Sequence, residues 1–362
     1  MIYLDSNATT KLLPAAREAM LDAMEGGYNP SSIHAAGRAA KQRLDTARRI
    51  IAESVSAFPN EVIFCATGSE ANALALHGVT VSSHFVSAIE HPSVLASVPS
   101  ATRLKVDANG IVDLAALEAS LPTEGRVLVS VMLANNETGV IQPITDIARI
   151  VHAAGHWLHV DAVQALGKIP VDMGILGADL LTICAHKLGG PVGAAALVVR
   201  QDIPLKAIFP GGGQEMRRRA GTENLPAIAG FAAAVKNAPD LREHRTWLDE
   251  MEQRLSAQFP ALRIAGAAAA RLPNTSCIAL PGIKNDTQLM HLDLSNICIS
   301  AGSACSSGRM EPSPVLMAMG WNAEDAGSAI RISTGWHNTP MQIAAFEHAW
   351  LSLANRLRPS AA

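Results

Sequence analysis

The chain has 362 residues, enough for about two or three domains and long enough to bury about three-quarters of its unfolded surface without disulfides. Its 29 Lys and Arg against 32 Asp and Glu leave a net charge of −3, which argues against a dedicated nucleic-acid coat or a polybasic membrane anchor. Hydrophobic residues make up 49% and aromatics only 4%, so the core is aliphatic and a stacking platform for single-stranded nucleic acid is disfavoured.

Cys65, Cys184, Cys277, Cys298 and Cys305 are odd in number and contain no CxxC pair. A disulfide framework and a structural metal site are both poorly supported, so no metal is expected and at least one thiol is left for other work. The first residues lack the basic region and apolar stretch of a secretory signal. The most apolar run, 225–235, is short of the ~20 residues of a membrane span. The expected compartment is the reducing cytoplasm, with no membrane and no direct nucleic-acid partner.

In chain order, apolar runs at 62–65, 85–89, 127–133, 157–160 and 180–184 predict strands buried on both faces of a parallel sheet. Helical patterns at 70–77 and 143–154 alternate with them, which implies right-handed βαβ units. Residues 194–200 predict another strand, and 215–224 a polar, arginine-rich loop. A long helical stretch, 226–259, carries a charged cluster over 240–254 and predicts an exposed helix linking two domains. Beyond it, strands at 276–280 and 297–300 and helices at 287–294, 313–319 and 341–357 predict a smaller α+β unit. The run Ala329-Ile330-Arg331-Ile332-Ser333 reads as a buried strand around a single arginine.

Three places in this pattern carry chemistry. Thr67-Gly68-Ser69-Glu70 follows a strand and opens a helix, where free N–H groups and the helix dipole favour an anion; the plainer alternative makes Ser69 an ordinary N-cap. His159-Val160-Asp161 ends a strand at a carboxylate, and ligands in open α/β sheets bind beyond such strand ends. Ala185-His186-Lys187 places a lysine just after a buried strand and before a glycine turn, where a desolvated amine can act as a nucleophile. Asp161 and Lys187 are separated by one helix and one strand, so they reach the same edge of the sheet. A phosphate site, a strand-end acid and a strand-end lysine together are what pyridoxal phosphate requires. The lysine bonds the aldehyde, the carboxylate keeps the ring nitrogen protonated, and the helix start holds the phosphate. Dinucleotide binding competes poorly, because no GxGxxG follows the first strand.

Nine segments carry a family resemblance over nearly the whole chain: YLDSNATT at 3–10, NPSSIH at 29–34, EHP at 90–92, ANNETG at 134–139, HVDAVQ at 159–164, AHK at 185–187, GGGQE at 211–215, RAGTEN at 219–224 and SAGSACSSG at 300–308. The sequence resembles the cysteine desulfurases of the NifS/IscS type, relatives of the class V aminotransferases. The resemblance implies an α/β, PLP-dependent transferase of fold type I. Its large domain, with a mostly parallel sheet, would span 14–245. A smaller α+β domain would combine 1–13 with 246–362.

The resemblance also implies residue roles. Lys187 would bond pyridoxal 5'-phosphate and move the Cα proton. Asp161 would pair with the pyridine nitrogen, Gln164 would bond the phenolic oxygen and His91 would stack on the ring. Gly68, Ser69, Cys184 and His186 would surround the phosphate, and Thr222 would reach the phosphate of a second subunit, which implies a homodimer. Asn136 and Arg331 would hold the carboxylate of L-cysteine. Cys305, in a small, polar loop, would take the sulfur as a persulfide, with Arg309 a candidate for lowering its pKa, and pass it to an iron–sulfur scaffold or another acceptor protein. The form of that loop resembles the IscS-like group and implies direct transfer to varied partners. Family members usually carry Ser or Thr at the position of Cys184, and Ser6 and Val192 are further departures. On the same scaffold the competing expectations are a selenocysteine lyase, an aminotransferase, or a catalytically silent scaffold protein.

Overall fold

The computed structural model describes residues 1–26, 28–302 and 311–357; Cys305 and Arg309 lie outside the described residues. Seven short segments, most of them apolar, pair into one sheet. Its order is Val62–Cys65, Ala195–Val199, Leu180–Cys184, Trp157–Asp161, Val127–Met132, Ser83–Ser87 and Thr102–Leu104. The last five run parallel. Ala195–Val199 is antiparallel to both of its neighbours.

The continuous apolar runs follow from burial on both faces. Phe64, Leu181 and Val198 join one core with Val129, Leu158 and Phe231. Their strand neighbours Ile63, Leu180 and Leu197 join a second core on the opposite face with Leu74 and Val86. Side chains along a strand alternate between faces, so only an unbroken apolar run satisfies both cores.

The expected long helix at 226–259 is two helices, Leu225–Lys236 and Arg242–Gln258. Pro239 stands between them, where it removes a backbone donor and blocks helix continuation. The first helix is not an exposed link: Leu225, Ile228 and Phe231 are buried in the large core. Leu248, Met251 and Leu255 of the second helix instead enter a separate core with Ile278, Leu292, Ile330, Ile332, Phe346 and Trp350. Leu4 belongs to that same core. A three-stranded antiparallel sheet of Ala329–Ser333, Thr275–Ala279 and Arg263–Ile264 supports it. The N-terminal strand Ile2–Tyr3 pairs in parallel with Ile297–Cys298, which carries the first ten residues back to the edge of the large sheet.

Candidate active site

Asp161 closes the strand Trp157–Asp161, and Lys187 lies just beyond Leu180–Cys184. The two strands are parallel neighbours, so both side chains reach the same sheet edge. A cavity of ≈ 560 Å³ opens there. Gly68, Ser69, His91, Asn136, Asp161, Gln164, Cys184, His186, Lys187 and Arg331 all line it. Thr222 does not: it is exposed and lies outside this cavity.

The phosphate-type end is built by the helix Gly68–Gly78. Thr67, not Ser69, is its N-cap; the Thr67 side chain accepts from the N–H of Glu70 at 3.0 Å. Capping by Thr67 leaves Ser69 on the cavity wall. A Cβ on Gly68 would come within 3.1 Å of Val163 and 3.9 Å of Cys184, so a bare glycine keeps this end open. The remote side of the helix start is pinned by Glu70, which accepts from Ala66 N and from Arg219 Nε at 2.8 Å. Arg219 belongs to the arginine-rich loop. That loop is held further by the buried pair of Arg48 and Glu215, with contacts of 2.6 and 2.8 Å. Glu215, Met216 and Arg217 all adopt left-handed backbone there, a conformation costly for side-chain-bearing residues and sustained only where the surroundings fix it.

At the centre, Asp161 Oδ2 accepts from Asn72 Nδ2 at 2.8 Å, and Oδ1 accepts from Val163 N at 3.0 Å. Asn72 Oδ1 is buried with no hydrogen-bond partner. Lys187 Nζ donates to the carbonyl oxygens of Asn7 and Ala8 at 2.6 and 2.7 Å. His91 is both an N-cap and a cavity residue. Its Nδ1 takes up Ser93 N at 3.1 Å and meets Ser93 Oγ at 2.8 Å. Burial, with Lys187 adding to it, holds the His91 imidazole below its ordinary pKa against the pull of Asp161, so the ring is neutral near pH 7. His186 is held at about 4, first by burial and then by the lysine charges; its Nδ1 lies 3.1 Å from Thr9 Oγ1. The Cys184 thiol is pushed up to about 12 by burial and stays uncharged.

The opposite wall comes from the smaller core. Arg331 is only 5% exposed and lies on Ala329–Ser333. It donates through one Nη to Asn136 O at 2.9 Å and through the other to Asp5 Oδ1 at 2.6 Å. Its Nε is buried without a partner. An arginine held on one side and unsatisfied on the other suits a carboxylate ligand. The cavity therefore fits pyridoxal phosphate by its donor set: an open helix start, a strand-end carboxylate, a lysine amine and an orphaned amide oxygen, with an arginine edge for the substrate.

Sequence reasoning missed two residues here. Asn7 accepts through its carbonyl from Lys187 and from Gln164, and donates to Asn136 O. Lys168 is buried and donates to Asn7 Oδ1 and Gln164 Oε1, both at 2.8 Å. The spacing of Gln164 and Lys168, four residues apart across a glycine, was the available signal. Among the described residues no cluster of His, Cys, Asp and Glu could hold a metal ion.

Comparison with known proteins defines the class. The class-V aminotransferase family model matches residues 2–346, and the chain belongs to that family, within its cysteine desulfurase branch. A cysteine desulfurase of Cereibacter sphaeroides is 39% identical, covering 94% of this chain and 92% of its own length. The cysteine desulfurase IscS of Dictyoglomus turgidum is 37% identical over 93% of this chain and 90% of its own. The solved structure of a NifS-like protein from Rickettsia africae superposes with a TM-score of 0.89 at 36% identity, covering 98% of this chain and 99% of that one. The fold is the PLP-dependent transferase fold type I, and the cofactor of this family is pyridoxal phosphate.

Proposed function

We propose that the cavity removes sulfur from L-cysteine, releases L-alanine and leaves the sulfur as a persulfide on Cys305. The observation that carries this reading is the convergence of Gly68, Ser69, Asp161, Lys187 and Arg331 on one cavity, in a chain of the cysteine desulfurase branch. Pyridoxal phosphate, when bound, supplies an electron sink for the pair left on the substrate Cα.

The chain's own residues do the rest. The N–H groups at Gly68 and Ser69, with Cys184 and His186 beside them, receive the phosphate. Cys184 makes the weakest of these contacts, because a thiol is a poor donor. Asp161, held by Asn72 and Val163 N, keeps a negative charge at the ring nitrogen. Neutral His91 offers an apolar face for stacking and a nitrogen for proton transfer. Gln164 offers a donor to the phenolic oxygen. Arg331 and Asn136 orient the substrate carboxylate, and Lys187 takes the Cα proton. The Cys305 thiolate attacks the substrate sulfur and the carbon–sulfur bond breaks. One proton delivered to Cβ and one returned to Cα complete L-alanine, and the two electrons lost by the sulfur pair in forming the persulfide are those gained by Cβ. The persulfide then passes by thiol exchange to an acceptor protein, with iron–sulfur cluster assembly the outlet suggested by the IscS name of relatives.

The assembly we propose is a homodimer. Exposed Thr222 lies outside its own cavity and can serve a phosphate site only if that site belongs to a second copy. Two separate apolar cores support a division into 14–245 and into 1–13 with 246–362. Among the described residues no helix is long and apolar enough to cross a membrane. The test is alanine release. With L-cysteine and a thiol reductant, the wild type should yield one alanine per sulfide, and Cys305→Ser should keep the bound cofactor yet release almost none. Full alanine release by Cys305→Ser would move the sulfur role to another residue.

A further inference from the structure

Lys168 occupies a place that a structural lysine seldom takes. It sits in the turn after Trp157–Asp161, its amine held between Asn7 and Gln164. Gly167 precedes it with a left-handed φ of 79°, and a Cβ there would collide with Leu188 at 2.9 Å. Only glycine lets the turn close and send Lys168 back toward Gln164. Burial holds the amine well below its ordinary pKa, and the charges of Lys187 and Arg331 push in the same direction.

Its hydrogen bonds carry the argument. Lys168 Nζ donates to both neighbours, so each amide turns its oxygen toward Lys168. Gln164 Oε1 and Asn7 Oδ1 do so, both at 2.8 Å. With the oxygen fixed, the NH2 of Gln164 must face away from Lys168. One of its hydrogens goes to Asn7 O at 2.9 Å, and the other is left for the cavity that Gln164 lines. Asn7 is oriented by the same contact, and its NH2 goes to Asn136 O and Thr275 Oγ1. Asn136 O is also the acceptor of Arg331. One buried lysine therefore touches both halves of the site through two amides.

We infer that Lys168 is a positioning residue that locks the Gln164 amide with a donor toward the phenolic oxygen of the cofactor and, through Asn7, ties the ring-facing wall to the carboxylate-facing wall. This rests on the reading of the cavity as a pyridoxal phosphate site. Without Lys168, only the bond to Asn7 O holds the Gln164 amide in this orientation, and a turned amide would present its oxygen, which repels the phenolic oxygen rather than donating to it.

The readout is the pH midpoint of the visible colour change of the holoenzyme without substrate, which involves no turnover. The charged or titratable groups facing Lys168 are Lys187, Arg331 and Cys184, and all three are kept. A donor at the phenolic oxygen draws electron density from the lysine–cofactor nitrogen, so losing it moves the midpoint to higher pH. Gln164→Ala and Lys168→Met should each raise it by about one unit, the lower range of hydrogen-bond and charge effects on a titration. The decisive comparison is the double variant. Lys168→Met should move the midpoint less than half as far in the Gln164→Ala background as in the wild type. Equal movement in both backgrounds would show that Lys168 acts by charge alone and would overturn the inference, as would no movement in either. If Lys168→Met fails to fold, Lys168→Gln replaces it in the same cycle; failure of both to fold assigns the position to folding and also overturns the inference. A wild-type protein that stays colourless with added pyridoxal phosphate would indict the cofactor reading instead.

Discussion

The two walls of the cavity differ in how far apart in the chain their residues lie. The ring-facing wall is nearly local: Asp161, Gln164 and Lys187 come from two adjacent parallel strands and the turns that follow them. The carboxylate-facing wall joins distant segments. Arg331 reaches Asn136 across 195 residues and Asp5 across 326, and it needs the N-terminal strand, a loop of the large sheet and the three-stranded sheet in place together. The backbone of the first wall is set once the sheet forms, and its Lys187 and Gln164 side chains then bond to the N-terminal segment at Asn7. The second exists only when both cores are assembled, so binding of the substrate carboxylate depends on long-range packing while cofactor attachment depends on a strand end.

That difference was also the limit of what could be read in advance. Strand ends carry a local signature, an apolar run that stops at a polar residue, and both Asp161 and Lys187 were legible from it. Arg331 was legible as an arginine inside a buried strand. Its partner Asp5 was not, since nothing near Asp5 in sequence announces a contact with a strand more than 300 residues later. Lys168 carried no signal of its own, because its burial depends on Asn7, 161 residues away. The helix at 226–259 was misread for a different reason: the charged periodicity of its second half hid a break that Pro239 enforces. Ser69 was offered as a cap where Thr67 takes the bond, since either hydroxyl suits the position and only the backbone geometry decides.

Several substitutions would sharpen or break the contrast between the walls. The largest effect belongs to the local wall. Lys187→Ala should leave the protein without the colour of a lysine-bound cofactor and cost at least ~10²–10⁴ in kcat, the usual worth of a positioned proton-transfer group; absorbance and alanine assays check both, and a coloured, active variant would contradict the role. The second effect belongs to the long-range wall. Arg331→Lys keeps the charge but loses the fork and the bond to Asp5 or Asn136. It should lower kcat/KM for L-cysteine by roughly 10–100-fold, the equivalent of one charged hydrogen bond, with cofactor colour unchanged. Loss of colour in that variant would show that the walls are not separable.

The smallest expected effect is on stability and concerns Glu90, buried beneath the ring-facing wall. Its Oε1 accepts from Met132 N and Ser87 Oγ, while Oε2 has no partner. Burial raises its carboxyl to about 8 against an ordinary value of 4.5. The folded state thus keeps a proton that the unfolded chain gives up, and stability falls as the pH rises from about 5 to about 8 before levelling. Glu90→Gln cannot ionise, so it should be more stable than the wild type at about pH 8.5, with the difference shrinking toward about pH 5. Urea midpoints at the two pH values check this, and a constant difference would assign Glu90 another role.

The most direct test of the desulfurase reading joins the two walls to Cys305. The wild-type holoenzyme is treated briefly with L-cysteine in the absence of reductant, and the peptide that carries Cys305 is weighed. We predict a gain of one sulfur atom on Cys305, absent in Lys187→Ala. An unchanged Cys305 in a protein that has released alanine, or sulfur found on Cys65, Cys184, Cys277 or Cys298 instead, would contradict the account.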